Sequence, residues 1–519
     1  MVTTPAQRLS RASSIGWAAG ISAVLICGGT VLGFVRDLTM AHLFGASSST
    51  DAFLVAWTVP ETMSPLLIED AMALIMVPAV ARRLQHHEGV RPLIAAALPR
   101  LAAGLALAMV GVILCAPLLV EILAPGLHDA APAVLCVRFT AVTILTFGIA
   151  GFMSATLRAQ HCFGPPASIY LAYNLGILTV IAAGATSFGV TSAAAGVAFG
   201  SALMVAIQLP AFLAQLRNPS APGPARPAAP AAAAIAWVGV VPVVVYTLTR
   251  QAQTLAERFI GSGLAAGSIS HLNYAQKVAQ VPMVLSLLVV TVTFPRLARA
   301  SAGGDTRQVR SRVEADLVIV SAIVLAATAF LVGSAQVIIQ LLFEHGRFSA
   351  ADTARTATLL RIYCLGLWGQ AALGVCARAY FAQQRPGWRP AATVALGPAV
   401  TIVLGGALTA ATGAAALAAA NAIGITLAAV LLLAGLRSRI QVSLRAVAGD
   451  AVKLAAATVC AGAAAAGVTA VLAGRSAAIP LLVTDLIVVS AVFAAVLALA
   501  GTTWSPLGNL RALRCSDPD

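Results

Sequence analysis

Long apolar runs alternate with short arginine-bearing breaks along nearly the whole chain. A helix that crosses a bilayer needs about 20 apolar residues, and that rule divides the sequence into roughly fourteen candidate spans. The first six are 15–43, 53–81, 93–122, 132–158, 167–187 and 190–216. A Pro/Ala-rich stretch, Asn218 to Pro230, then reads as a linker. Six more follow at 231–261, 269–296, 313–343, 353–382, 390–410 and 413–436, and a last pair lies at 446–473 and 478–501. The pattern predicts an all-α integral membrane protein. Its parts are a six-helix lobe over 1–217, a cytoplasmic linker over 218–230 and a second six-helix lobe over 231–437. Two extra spans in 438–503 and a cytoplasmic tail over 504–519 complete it.

Charge in the breaks sets an orientation. Alternate loops carry Arg8 and Arg11, then Arg82, Arg83 and Arg91, then Arg158, and the series continues to Arg437, Arg439, Arg445, Arg511 and Arg514. The opposite loops hold little beyond Arg347 and Arg475. Cytoplasmic loops are the ones enriched in Lys and Arg, so both termini are expected in the cytoplasm, which requires an even number of spans.

The two lobes also echo one another. Met76-Val77-Pro78-Ala79-Val80-Ala81-Arg82 closes the second span, and Thr293-Phe294-Pro295-Arg296-Leu297-Ala298-Arg299 closes the eighth. Leu157-Arg158-Ala159 and Ala377-Arg378-Ala379 stand in matching parts of the fourth and tenth. Both pairs are about 220 residues apart. Six plus six helices in one orientation make a parallel repeat about an axis along the membrane normal. Transporters built that way bind substrate near the repeat interface.

Composition confirms the class and removes several functions. The chain is 60% hydrophobic and 10% charged, with a mean hydropathy of +0.92, which leaves too little charge to cover a soluble surface. The net charge of +14 does not indicate nucleic acid, because the arginines sit in short loops rather than in a basic domain. The eight cysteines are scattered with no CxxC pair, so no metal or redox centre is expected. The apolar run after Arg8 and Arg11 is too long for a secretory signal and reads as a retained first span. No GxSxG, HExxH or GxxxxGK[ST] occurs; no catalytic residue is assigned, and direct coupling to ATP hydrolysis is not expected.

What remains are charges at membrane depth, which cost about 2.5 kcal/mol or more and are tolerated in wet cavities or with partners. Arg36 lies about eight residues before the first outer loop and Lys277 about eight into the eighth span, so each sits ~12 Å below the outer surface. Two cations at one depth, one per lobe, can converge on an anion in a central cavity; either alone can instead snorkel to the interface. Asp37, Asp51, Glu69 and Asp70 give Arg36 acidic company that a lipid-facing anchor does not need. Gly28, Gly29 and Gly33 permit a bend ahead of Arg36. Arg250, Glu257 and Arg258 lie on the seventh span and read first as a structural ion-pair set. Gln276 and Gln280 flank Lys277 and suit sugar hydroxyls or helix–helix contacts. Asn273, Asn421 and Asp485 are further polar groups able to serve an ion site.

Gly33 to Pro60, GFVRDLTMAHLFGASSSTDAFLVAWTVP, resembles the opening signature of the MurJ (MviN) family of lipid II flippases. Ser270 to Lys277 resembles that family's eighth-helix motif, and Leu342 to Phe348 with Asp352 its turn between helices nine and ten. The resemblance implies a fold of the multidrug/oligosaccharidyl-lipid/polysaccharide exporter superfamily, with the last two helices shaping a groove for a polyprenyl tail. It implies that Arg36 and Lys277 hold the diphosphate of a polyprenyl-linked glycan precursor while Asp37 and Asp51 orient or gate them. Gln276, Arg250 and Arg258 join as further substrate contacts; Glu69, Asp70 and Glu257 serve gating or ion pairing. The cargo would pass from the inner to the outer leaflet of the bacterial cell membrane by alternating access, for peptidoglycan or related envelope synthesis. The membrane potential or a bound monovalent cation would drive it, no other cofactor is implied, and cell-wall synthesis proteins are candidate partners.

Three departures qualify the likeness. Thr30 stands where the family usually has an arginine, Ser64 and Pro65 where it has a basic residue, and Lys277 replaces an arginine. Arginine grips phosphate bidentately and lysine does not, so the cationic site is depleted. Competing readings are a cation-coupled multidrug or small-molecule exporter of the same superfamily and a non-transporting paralogue. An integral-membrane glycosyltransferase has no convincing acidic metal motif to support it.

Overall fold

The computed structural model describes residues 5–85, 89–127, 129–217, 230–286, 293, 297, 300–301, 305–382, 388–472 and 477–500. They form helices joined by short turns and loops, with no strand among the described residues. Among the described residues, ten helices are long and apolar enough to cross a bilayer, and Ala350–Cys364 with Leu367–Phe381 makes one more if a 43° bend is counted within one span. Of the fourteen expected spans, 53–81, 231–261 and 269–296 do not qualify. The first is interrupted by a π-helical stretch, Ser64–Asp70, that carries Glu69 and Asp70; in the second the side chains of 231–240, 242 and 243 lie outside the described set, and the third falls partly outside the described residues. So does nearly all of the linker and the whole of the tail.

The chain divides into two compact units, Met1–Gln251 with Ala265–Gly267, and Ala252–Leu264 with Ser268–Asp519. In the first, α1 (Pro5–Phe44), α2 (Ser48–Met63) and α3 (Ala71–Gln85) are followed by α4 (Arg91–Leu114) and α5 (Ala116–Leu123). Then come α6 (Ala131–Thr140), α7 (Val142–Ala159), α8 (Gly164–Phe188), α9 (Thr191–Arg217) and α10 (Pro230–Gly261), which runs on into the second unit. α1 is one continuous helix across its glycines. They admit α8: a Cβ on Gly29 would meet Tyr170 Cβ at 3.0 Å and the Leu171 amide at 3.1 Å. α8 and α9 approach by the same means, since a Cβ on Gly176 would lie 2.6 Å from Gly200 Cα. Lipid gives helices no hydrophobic reason to associate, and small residues let dispersion and buried polar contacts supply one. Gln208 of α9 is such a contact, accepting from Ser154 Oγ at 2.7 Å and donating to the Ala150 and Met204 carbonyls.

The π-helical stretch joins α2 to α3. Pro65 removes one amide from the ladder, and the wider turn lets Leu67 push its carbonyl toward α7. Gly151 receives it: an added Cβ there would lie 2.1 Å from Leu67 O.

The second unit begins at Ala252 within α10 and continues with α11 (Ser268–Ala279), α12 (Thr306–Gly333), α13 (Ala335–Phe343), α14 (Ala350–Cys364) and α15 (Leu367–Phe381). Short pieces α16 (Arg389–Val394), α17 (Leu396–Val400) and α18 (Gly406–Thr412) follow, with a second π-helical turn, Thr401–Gly405, before α18. The unit ends with α19 (Ala414–Ile440), α20 (Leu444–Leu472) and α21 (Ala478–Leu499). α12, α20 and α21 share an apolar core that includes Ala322, Ala329, Ala457, Ala461, Val489 and Phe493.

Candidate functional site

Arg36 lies inside the first unit rather than facing lipid, with 7% of its surface exposed. Its Nε and Nη2 donate to Asp37 Oδ1 at 3.1 and 2.7 Å, and Nη1 donates to Asn174 Oδ1 at 3.2 Å. The guanidinium stacks 4.2 Å from the centre of the Trp57 ring, a contact worth from ~0.5 to 2 kcal/mol as desolvation increases. Asn174 is itself fixed, donating to the carbonyls of Gly29 and Tyr170 at 3.0 Å each. Gly33 faces this amide, and a Cβ there would touch the Asn174 side chain at 3.4 Å, an ordinary van der Waals contact. Guanidinium carries five N–H groups; three are committed, and two have no partner among the described residues. The arginine is held rigidly, its charge is balanced by Asp37, and it keeps donors to offer.

Asp51 is buried in the first turn of α2, where a carboxylate is favoured by the helix dipole. Its Oδ2 accepts the Gly267 amide at 2.7 Å. Gly267 has φ +87°, and a Cβ on it would stand 2.6 Å from Ala46 O, so only glycine suits that turn. Asp51 thus serves as a tie between backbone segments. Glu69 is exposed and accepts from Tyr170 Oη at 2.8 Å, while Tyr170 also pairs with Ser64 Oγ at 2.9 Å. At the second-helix position where the resemblance implies a basic residue, the structure has a hydroxyl pair beside an acid. Thr30 is exposed and spends its hydroxyl on Ile26 O of its own helix. The side chain of Asp70 lies outside the described set.

In the second unit Lys277 is half-buried on α11 and makes no hydrogen bond or ion pair among the described residues; Gln276 beside it is half-buried too. Arg250 is exposed on α10, and Arg258 is buried next to Glu257. Glu257 takes three donors: Tyr363 Oη at 2.7 Å, Gln253 Nε2 at 2.9 Å and Asn421 Nδ2. Gln253 also bonds Thr401 at the π-helical turn, 2.7 Å away. This carboxylate is the hub of a buried polar cage.

The two supporting motifs of the second unit meet one another. His271 Nε2 lies 2.9 Å from Asp352 Oδ1, and Tyr274 packs on Phe343 and Phe348 with ring centres 5.1 and 5.8 Å away. Asp352 closes a capping box with Ser349 at the start of α14. Asn174, Trp57, Gln253 and Tyr363 were not singled out from the sequence. Asn174 carried a usable signal as an amide in the middle of an apolar span; the other three look like ordinary helix residues until their neighbours are known.

A family model described as lipid II flippase MurJ matches residues 40–497. The chain belongs to the MurJ family. Its match begins just after Arg36 and Asp37 and runs to the end of α21. The lipid II flippase MurJ of Burkholderia cenocepacia is 26% identical over 364 residues, covering 68% of this chain and 70% of that protein. A solved MurJ in an inward closed conformation has a TM-score of 0.73 at 18% identity, covering 92% of this chain and 98% of that one. An inward-facing multidrug resistance transporter of the MATE family, in the MOP superfamily, has a TM-score of 0.64 at 13% identity and covers 82% of this chain. At those identities the likeness to solved structures is one of fold, shared by MurJ and MATE proteins.

Proposed function

We propose that this MurJ-family chain is a flippase. It moves a polyprenyl-diphosphate-linked glycan precursor, of the lipid II class, from the inner to the outer leaflet of a bacterial plasma membrane for peptidoglycan synthesis. The observation that carries the proposal is the match to the lipid II flippase model over residues 40–497. The surroundings of Arg36 and Lys277 support this reading. Arg36 is desolvated and fixed by Asp37, Asn174 and Trp57, and its remaining N–H groups are the kind of donor that holds a phosphate oxygen. Lys277 supplies a point charge without a competing carboxylate, and Gln276 suits sugar hydroxyls. Transport proceeds by alternating access, with the headgroup in a polar cavity and the tail in lipid. The membrane potential, worth ~2.3 kcal/mol per charge per 100 mV, or a bound cation supplies the drive.

In cells depleted of their own lipid II flippase, the wild-type chain is expected to restore growth and outer-leaflet exposure of lipid II. Arg36→Ala is expected to abolish both at unchanged membrane abundance. Failure of the wild type would remove the lipid II assignment; growth on Arg36→Ala would remove Arg36 from the site.

Small-molecule export is the second reading, favoured by one observation: Arg36 is already neutralised by Asp37, and the positions of Thr30 and Ser64 bring no cation. Drug sensitivity of a deletion strain with intact envelope synthesis would select it.

A further inference from the structure

The buried residues of α21 are Leu481, Asp485, Val489, Phe493 and Leu497. Their spacing is four, so one stripe faces α12 and α20, and an aspartate occupies a place in an otherwise apolar row. Asp485 has no exposed surface. Its Oδ2 accepts from Ser334 Oγ at 2.7 Å and from Thr469 Oγ1 at 2.8 Å. No donor reaches its Oδ1, which is equally buried. Hydroxyls alone could glue these helices together without a charge. A carboxylate with one oxygen bare is a costly way to do so.

The surroundings of Ser334 explain what the bare oxygen is for. Ser334 separates α12 from α13 within what would otherwise be one span, and it gives its hydroxyl to Asp485 rather than capping α13. At such a break some carbonyls of the leading helix's last turn lose intrahelical partners, although here Phe330 O keeps the Ser334 N–H and Ser334 O keeps the Ile338 N–H, both at 2.9 Å. Broken transmembrane helices use those carbonyls, with acidic and hydroxyl side chains, to coordinate small cations. Charged groups on the packed elements leave the position open. Asp485 forms no ion pair among the described residues, and Arg361 of α14 reaches the break only through Nε to Val332 O at 3.4 Å. α13 carries no charge. Arg307, Arg310, Arg312, Glu314 and Asp316 of α12 and Arg445, Asp450 and Lys453 of α20 all stand several turns away from Ser334 and Thr469. Arg475 lies outside the described residues.

We infer that Asp485, Ser334 and Thr469 bind an exchangeable alkali cation of sodium size at the α12–α13 break. The site is built by α20, α21 and the α12–α13 break and shares no residue with the Glu257 cage. With Asp485 seven residues into α21, the ion sits ~10 Å from that helix end. Bound there, it locks α21 and α20 to the break; released, it leaves an uncompensated charge that favours separating them.

The test uses the purified full chain in lipid nanodiscs without cargo, so its outcome is independent of the flippase assignment. Radioactive sodium binding and the thermal midpoint are measured against sodium, with choline replacing it at constant ionic strength. Wild type is expected to gain stability with sodium, and Asp485→Asn to lose one bound sodium per chain together with that gain. Ser334→Ala, which keeps the charge and the fold, is expected to bind about tenfold more weakly, the scale of one lost bond to a charged group. Sodium binding unchanged in Asp485→Asn and in Ser334→Ala would overturn the inference. So would a protonated-carboxyl infrared band that disappears in Asp485→Asn and is insensitive to sodium, since a proton would then hold the place.

Discussion

The central fact at residue scale is that Arg36 is both buried and spoken for. A free cation would bind a diphosphate through charge; this one, paired with Asp37, offers shape. Lysine preserves the charge but has neither the planar fork nor the face that stacks on Trp57, so it cannot meet Asp37 and Asn174 together. Arg36→Lys is therefore expected to behave nearly as badly as Arg36→Ala. It loses ~1–3 kcal/mol of the interactions that fix the site, or roughly 10- to 100-fold in transport. The measurement is lipid II exposure at matched protein abundance. Retention of more than half the wild-type rate would show that charge alone suffices. The sequence revealed Arg36 because a charge inside an apolar run is conspicuous. It did not reveal Trp57, because an aromatic residue in a helix has many uses, and only the packing of α2 beside α1 turns it into a cation's platform.

Among elements, glycine and proline do more than punctuate. The apolar run 53–81 was read as one span, yet Pro65 and the acids after it make a π-helical stretch, and Gly151 on α7 is what lets that stretch pack. Gly151→Ala puts a methyl 2.1 Å from a backbone carbonyl that cannot rotate away. Overpacking of that kind costs ~1–3 kcal/mol. The variant is expected to melt several degrees below wild type in detergent, whereas Gly104→Ala, where nothing lies within 4 Å, should match wild type or exceed it. Equal melting of the two would mean that α7 yields to the π-helical stretch without strain. Span positions were legible because membrane thickness sets a length and apolar residues mark it. The break at Ser334 was not, because its hydroxyl is turned to a partner on another helix, Asp485; Pro65 marked the other only as a place where the ladder loses an amide. The same holds for Gly28, Gly29 and Gly33: the sequence announces an absent Cβ but not whether a bend or a neighbour uses the room.

For the molecule as a whole, the distribution of arginine predicts a topology that can be tested without any knowledge of cargo. If the positive loops face the cytoplasm, the linker over 218–230 and the tail over 504–519 lie on the same side as the N-terminus. That demands an even number of crossings before the linker and an even number after it. The interrupted segment α2–α3 must then traverse the membrane fully, although its charges and its π-helical stretch keep it from qualifying on length and apolarity. A reporter that fluoresces only in the cytoplasm is expected to be bright when fused after residue 217 or at the C-terminus. An alkaline phosphatase that folds only outside should be active when fused in the turn between α1 and α2, near Ser47, and inactive after Gln85. Phosphatase activity after Gln85 would mean that α2 and α3 enter and leave from one face, that the first half crosses an odd number of times, and that the two halves run antiparallel. A parallel pair of six-helix halves, which the two sequence echoes about 220 residues apart predict, would then be excluded.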